Sequence, residues 1–278
     1  MKKWVICTVA SAIFLGLPLV SQADPEGDRK AFQDYFKNRF PNTPVEDFIN
    51  GVYSVDPASR EQWEAIEEFP PYEIAIEEGE AIFNKKFANG KSLGGCFPNG
   101  GNGIADQYPH FDTKRGEVVT LPVAINECLT ANGEKPLNYK KGAMASVLAY
   151  MAFTTRGKPV AVKIPKDPRA TAAYESGKQF FYARRGQLNM SCAHCHVDNS
   201  GNKIRADLLS PALGHVTHFP VYRSKWGELG TLHRRFDGCN KQVRAKPFKA
   251  QGAEYRNLEY FMTYMSNGLT WNGPGSRK

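Results

Sequence analysis

Apolar positions recur along this chain at helical rather than strand spacing. Phe32, Tyr35, Phe36 and Phe40 fall on one face of a helix over 31–40, which Pro41-Asn42-Thr43-Pro44 stops. Asp56-Pro57 opens a second helix running to Glu67, with Asp56 suited to the cap and Pro57 to the first turn; Pro70-Pro71 ends it. Further on, Met144, Val147 and Met151 share a face, and so do Tyr255, Leu258 and Met262. These last two helices match residue for residue at an offset of 111, the same offset that separates Cys128 from Cys239. Ala149-Tyr150-Met151-Ala152-Phe153 falls opposite Tyr260-Phe261-Met262-Thr263-Tyr264 in that register.

Upstream, the stretch around Gly79 resembles the one around Gly177, at the smaller offset of 98. The spacing predicts a duplicated unit, a starting helix, a cysteine loop, an irregular segment and a closing helix, with extra loop residues in the second copy. The fold expected is mainly α: an N-terminal extension over 24–75, a first unit over 76–165 and a second over 166–278. The extension carries no recognisable chemistry and is expected to pack on the first unit.

Cys192-Ala193-His194-Cys195-His196 supplies the chemistry. C-x-x-C-H lets two thiols form thioethers to one haem while the adjacent imidazole ligates its iron. A thioredoxin-like site would need a βαβ setting and a structural zinc site a second ligand pair; neither is evident. The units therefore read as tandem cytochrome c-like domains, of which only the second carries haem. His194, inside the motif, is expected to be exposed.

Lys2 and Lys3, an apolar run through Val20 and Ser21-Gln22-Ala23 have the form of an export signal over 1–23, cleaved after Ala23. The run is short and contains Gly16 and Pro18, which argues against a membrane anchor, and no later stretch approaches a span. A periplasmic protein is expected, without a membrane span in the mature chain. Loss of two lysines takes the net charge from +8 to 34 − 28 = +6, favouring an acidic partner or a small anion. The compartment speaks against nucleic acid.

Each of the six cysteines can then be given a place. Cys7 leaves with the signal, and Cys192 and Cys195 take the haem. Cys96 lies where the first unit should have its own haem motif, but Asn99 and Gly100 stand where a second thiol and a histidine are needed. A disulfide between Cys96 and Cys128 is the economical reading in an oxidising compartment, contributing roughly 3 to 4 kcal/mol through closure of its loop. The alternative is a pair of free buried thiols. Cys239 is left over. His233, Arg234, Arg235, Lys241 and Arg244 surround it, and cations favour the thiolate; Gly238 suggests a tight turn beside a bulky cofactor.

The sixth iron ligand stays open on residue type alone. Cys239, His215, His218 and His233 all qualify, whereas Met190 is too close to the motif, and Met262 and Met265 read as core. Arg235 could bind an anionic substrate or pair with haem propionates. Arg234, Lys241 and Arg244 read as a solvated basic rim or a docking surface.

Residues 184–196, Ser210-Pro211-Ala212-Leu213-Gly214-His215, Tyr222-Arg223-Ser224-Lys225-Trp226 and Arg234-Arg235-Phe236-Asp237-Gly238-Cys239-Asn240 resemble SoxA, the haem subunit of the thiosulfate-oxidising SoxAX cytochrome, an L-cysteine S-thiosulfotransferase. The resemblance implies one covalent haem c held by Cys192 and Cys195, with His196 as proximal ligand. It makes Cys239 the distal ligand and the catalytic sulfur, as a persulfide, and Arg235 the substrate-binding residue. Many members carry a second haem; Asn99 and Gly100 make this a single-haem form. Implied partners are a SoxX-like cytochrome subunit in a heterodimer, a SoxYZ-like carrier whose cysteine receives thiosulfate, and a cytochrome c that accepts electrons. Two readings compete: a plain periplasmic electron-transfer cytochrome without a substrate site, and a haem-stabilised sensor with a vacant sixth position.

Overall fold

Two crossed helix pairs carry most of the core. Helix α3 (Glu73–Asn84) packs on α5 (Ala143–Phe153), and α6 (Pro168–Tyr182) packs on α8 (Ala253–Met265). Residues 23–278 are described by this computed structural model; the export-signal reading of 1–23 falls outside them except for Ala23. Helix α5 is apolar nearly all round, and Met144, Val147 and Met151 are fully buried, as a helix with no polar face must be. Tyr255, Leu258 and Met262 are buried on α8. Both crossings need a glycine. A Cβ on Gly79 would lie 1.9 Å from the Ser146 carbonyl oxygen, and one on Gly177 would lie 2.0 Å from that of Asn257. The two backbones therefore approach more closely than any side chain allows. Ser146 and Asn257 are again 111 positions apart.

Between the helices of each pair lies a hairpin followed by a short helix. Strands β1 (His110–Asp112) and β2 (Glu117–Val119) pair antiparallel and lead through Thr120 into α4 (Leu121–Ala131). After α6, a small hairpin of β3 (Lys203–Ile204) and β4 (Asp207–Leu208) intervenes. Then β5 (Val221–Arg223) and β6 (Glu228–Gly230) lead through Thr231 into α7 (Leu232–Gln242). Every boundary of β1, β2 and α4 recurs 111 residues later in β5, β6 and α7. Strand β7 (Gly275–Arg277) adds to β5 in parallel.

In the first unit a disulfide joins Cys96 to Cys128 on α4, with Cα atoms 5.9 Å apart. The units are clasped together by paired backbone bonds from Val160 N–H to the Leu269 carbonyl and from Gly268 N–H to that of Val160. Arg256 on α8 also reaches Glu117 at 2.7 Å and the Val118 carbonyl at 2.9 Å.

The extension packs on the first unit, as expected, only through Tyr72 near its end, which lies against Ala145 and Ala149 and accepts from Arg156 at 3.0 Å; the rest does not. Helix α1 (Pro25–Arg39) buries Phe32 and Phe36, but against Phe181 of the second unit and Phe48 of its own following turn. Asp28 accepts from Tyr174 at 2.8 Å and pairs with Lys178 at 2.6 Å, both on α6. Helix α2 (Pro57–Glu67) has the predicted bounds. Its Glu67 accepts from the backbone N–H of Ser276 on β7 at 3.0 Å. An apolar helical face shows that a helix must be covered; it carries no address for the surface that covers it.

Candidate functional site

The cysteine loop is held from both ends and from behind. Arg185 and Met190 exchange backbone hydrogen bonds of 3.1 Å, closing the approach from α6. The Ser191 hydroxyl accepts from His194 N–H at 2.9 Å and starts a wide helical turn over His194–Asp198. From the extension, Tyr35 donates to the Val197 carbonyl at 3.1 Å and Arg39 to the Ser200 carbonyl at 2.9 Å. Cys192, Cys195 and His196 are thus presented half-buried, both thiols unbridged. His194 is half-buried as well, not exposed as expected, because Asn199 is bonded to its carbonyl and the turn folds over it.

One nitrogen of His196 is already committed. Its Nδ1 lies 2.9 Å from the Ser210 carbonyl oxygen, an acceptor only, so the proton sits on Nδ1 and the lone pair on Nε2 is free for a metal. His215 lies edge-on to this ring at 4.5 Å and shares 2.7 Å with the Ser210 hydroxyl, so it supports the loop from the proximal side.

Cys239 arrives from α7. Gly238 forms no turn: Leu232, Phe236 and Asn240 are buried at helical spacing, and this face carries the helix straight through Asp237-Gly238. Four residues apart on one helix, Arg235 and Cys239 fall on the same face. Arg234 and Arg235 occupy the first turn, where the helix dipole disfavours cations by about 0.3 to 1 kcal/mol each; Arg234 offsets this by pairing with Glu228 at 3.0 Å.

Three thiols near one another are set to different states. Burial raises Cys239, but the Arg235 guanidinium, the His196 ring and Arg223 outweigh it and bring the thiol down to about 7. Burial and the Cys239 charge push Cys192 up to about 12, and burial first also raises Cys195. Only Cys239 is poised as a thiolate at neutral pH. A pair of thiols in one short loop, an imidazole with a free nitrogen and a thiolate against that imidazole suit a haem c held at four points.

The competing ligands have other positions. His218 is buried and stacked on Phe219 at 4.9 Å. His233 is buried between the Gln251 backbone N–H at 3.0 Å and a Glu259 carboxylate oxygen at 2.9 Å. Met262 and Met265 lie in the core. Cys96 and Cys128 are bonded to each other, away from this cluster. Arg235 joins Cys239, as its spacing suggested; Arg223, whose charge also acts on that sulfur, went unnoticed because a hairpin brings it there from sixteen residues upstream.

Comparison with known proteins agrees with this geometry. The family model described as SoxA/TsdA, cytochrome c domain, matches residues 78–160 and 176–271. The L-cysteine S-thiosulfotransferase subunit SoxA of Allochromatium vinosum is 62% identical over 93% of this chain and 92% of its own. That of Chlorobaculum tepidum is 59% identical over 92% and 89%. A crystal structure of SoxXA from P. pantotrophus superimposes with a TM-score of 0.72 at 32% identity, covering 78% of this chain and 84% of that one. With the cysteine loop, the thiolate facing it and near-complete coverage all in agreement, the chain belongs to the SoxA family of c-type cytochromes.

Proposed function

We propose that this chain is the SoxA subunit of an L-cysteine S-thiosulfotransferase, coupling thiosulfate oxidatively to a cysteine of a SoxYZ-like carrier. The observation that carries the reading is the Cys239 thiol, lowered to about 7 beside His196, with Arg235 one helical turn away on the same face. A plain electron carrier has no use for a thiol lowered by two guanidinium groups.

Cys192 and Cys195 would hold one haem c by thioethers, and His196 and Cys239 would ligate its iron. When bound, the haem supplies a one-electron acceptor and a ligand position that restrains the Cys239 sulfur. A single haem, in the second unit, is supported by the first unit's disulfide at the place equivalent to the cysteine loop. Duplication of one ancestral unit, with domains over 24–75, 76–165 and 166–278, is supported by the recurring strand and helix boundaries and by the paired glycine crossings.

In the reaction the carrier thiolate and the outer sulfur of thiosulfate form one S–S bond and release two electrons. These leave through a SoxX-like cytochrome subunit, the heterodimeric partner, to a cytochrome c. Cys239 takes part as a sulfur nucleophile that carries a persulfide. Arg235 offers parallel N–H donors to the sulfonate oxygens, a planar match that lysine lacks. Export to the periplasm, with cleavage after Ala23, supplies the setting in which haem attachment and the disulfide form.

The Cys239→Met variant tests the reading. Coupling of thiosulfate to the carrier is expected to fall at least about a hundredfold while one haem per chain is retained, since a thioether neither carries sulfur nor attacks it. Full activity would return the protein to the class of electron carriers.

A further inference from the structure

Where the two units meet, a cavity of about 60 Å3 lies among residues from both. Many of these residues come in pairs 111 positions apart, as Tyr108 and Phe219 do, so the cavity follows the register that relates the units. Its two sides differ in chemistry. The first unit presents Pro122 and Leu148; at the matching places the second presents His233 and Glu259. An apolar filling of this position therefore exists in the fold, and the second unit departs from it.

The polar side is short of partners. The Gln251 backbone N–H donates to His233 Nδ1 at 3.0 Å, which puts the ring proton on Nε2 and leaves the imidazole neutral. Nε2 stands 2.9 Å from Glu259 but out of line for a hydrogen bond. Among the described residues that carboxylate, 14% exposed, has no other charged partner within 4.0 Å. The Gln251 side chain accepts from the Thr120 hydroxyl at 2.7 Å, while its amide nitrogen finds no partner in the protein. Neither does the indole N–H of Trp271, a residue more than nine-tenths buried. Buried polar groups left in that state are costly.

Size decides what fits. A water molecule needs roughly 10 to 15 Å3, whereas a cavity that takes up benzene has about 150 Å3. The site has room for a few waters and none for an organic ligand. Water can accept from the indole and the amide and donate to the carboxylate, which an anion beside Glu259 cannot do.

Helix α7 gives the site its role. Thr120 caps α4 by accepting from the Val123 N–H at 3.4 Å. Thr231, at the matching place before α7, donates its hydroxyl to the Tyr139 carbonyl at 2.8 Å and accepts no N–H of the helix. The first turn of α7 is held instead by His233, its second residue, through the Gln251 N–H and through Tyr255, whose ring stands edge-on at 5.4 Å. Arg235 sits two residues further on.

We propose that this cavity is a hydration site, in which bound water joins the Trp271 N–H and the Gln251 amide to the Glu259 carboxylate. His233 and Glu259 are positioning residues there, fixing the first turn of α7 and with it Arg235 and Cys239. The hydration is independent of the thiosulfate-coupling reading; the positioning role is read through the haem ligation which that reading assigns to Cys239.

The test uses the haem-loaded protein. A high-resolution crystal structure of wild type is expected to show ordered water bonded to Trp271 Nε1 and to Glu259. Electron-spin resonance then compares wild type, Glu259→Leu and Glu259→Gln. Glu259→Leu, which gives the second unit the residue of the first, is expected to split the low-spin imidazole–thiolate signal into two. Glu259→Gln, whose amide oxygen still accepts from water, should keep one. A dry cavity in wild type overturns the inference, and so does a Glu259→Leu spectrum identical to that of wild type. Where Glu259→Leu takes up no haem, Trp271→Phe replaces it, because it removes one donor and keeps an aromatic ring; an unchanged spectrum overturns the inference equally. Absence of an imidazole–thiolate signal from wild type itself would mean that the functional reading has failed, and the water in the cavity then decides the site.

Discussion

Cys128 and Cys239 occupy equivalent places on α4 and α7 and end in different chemistry. Cys128 is bonded to Cys96, whereas Cys239 stays unbridged and is drawn toward the thiolate by Arg235, His196 and Arg223. The difference lies in the loop each faces: one thiol and no histidine in the first unit, two thiols and a histidine in the second. The disulfide ties the irregular loop of the first unit to the helix behind it, the part that haem would play in the second under the proposed function. Replacing both Cys96 and Cys128 with Ala is expected to lower unfolding free energy by about 3 to 4 kcal/mol, measured in urea on the haem-bearing protein, with the haem spectrum unchanged. Unaltered stability would make the bond ornamental. These roles were largely legible from sequence, because the C-x-x-C-H spacing and the four-residue step from Arg235 to Cys239 are local. The charge of Arg223 on that sulfur was not, since Arg223 stands on a strand sixteen residues upstream and no residue beside it signals the effect.

At the scale of elements, prolines marked the end of α1 and both limits of α2, but α1 begins at Pro25, well before the apolar face over 31–40 that predicted it, and α2 buries none of its residues. Gly238 misled: it suggested a tight turn beside a cofactor, but a buried helical face on either side overrode it. The 111-residue register was visible as matched apolar positions. Its physical content, two helix crossings made at backbone contact, needed coordinates. Gly177→Ala and Gly79→Ala should each cost about 1 to 3 kcal/mol or more, because the new methyl meets a carbonyl oxygen and not a flexible side chain. Gly95→Ala, in open space with an ordinary backbone conformation, should stay within about 0.5 kcal/mol. Thermal melts of the three variants decide this, and equal melting temperatures would mean that the crossings have slack.

For the molecule as a whole, the extension works as a brace on the unit that carries the cysteine loop. Through Tyr35 and Arg39 it holds the turn after His196, and through Glu67 it holds the strand that lies beside Arg223. Its side of attachment could not be read from the chain, because the burial of Phe32 and Phe36 satisfies the hydrophobic pattern equally well against either unit. Among the described residues no helix is long and apolar enough to cross a membrane. The assembly is therefore two similar helical units, one closed by a covalent bond and the other opened to chemistry at α7. On the proposed function, the Cys239 sulfur and the His196 imidazole would both ligate one haem iron. An electron-spin resonance spectrum of the oxidised, haem-loaded protein tests this most directly. The account predicts a low-spin imidazole–thiolate signal in wild type that is lost in Cys239→Met; identical spectra from the two proteins would contradict it.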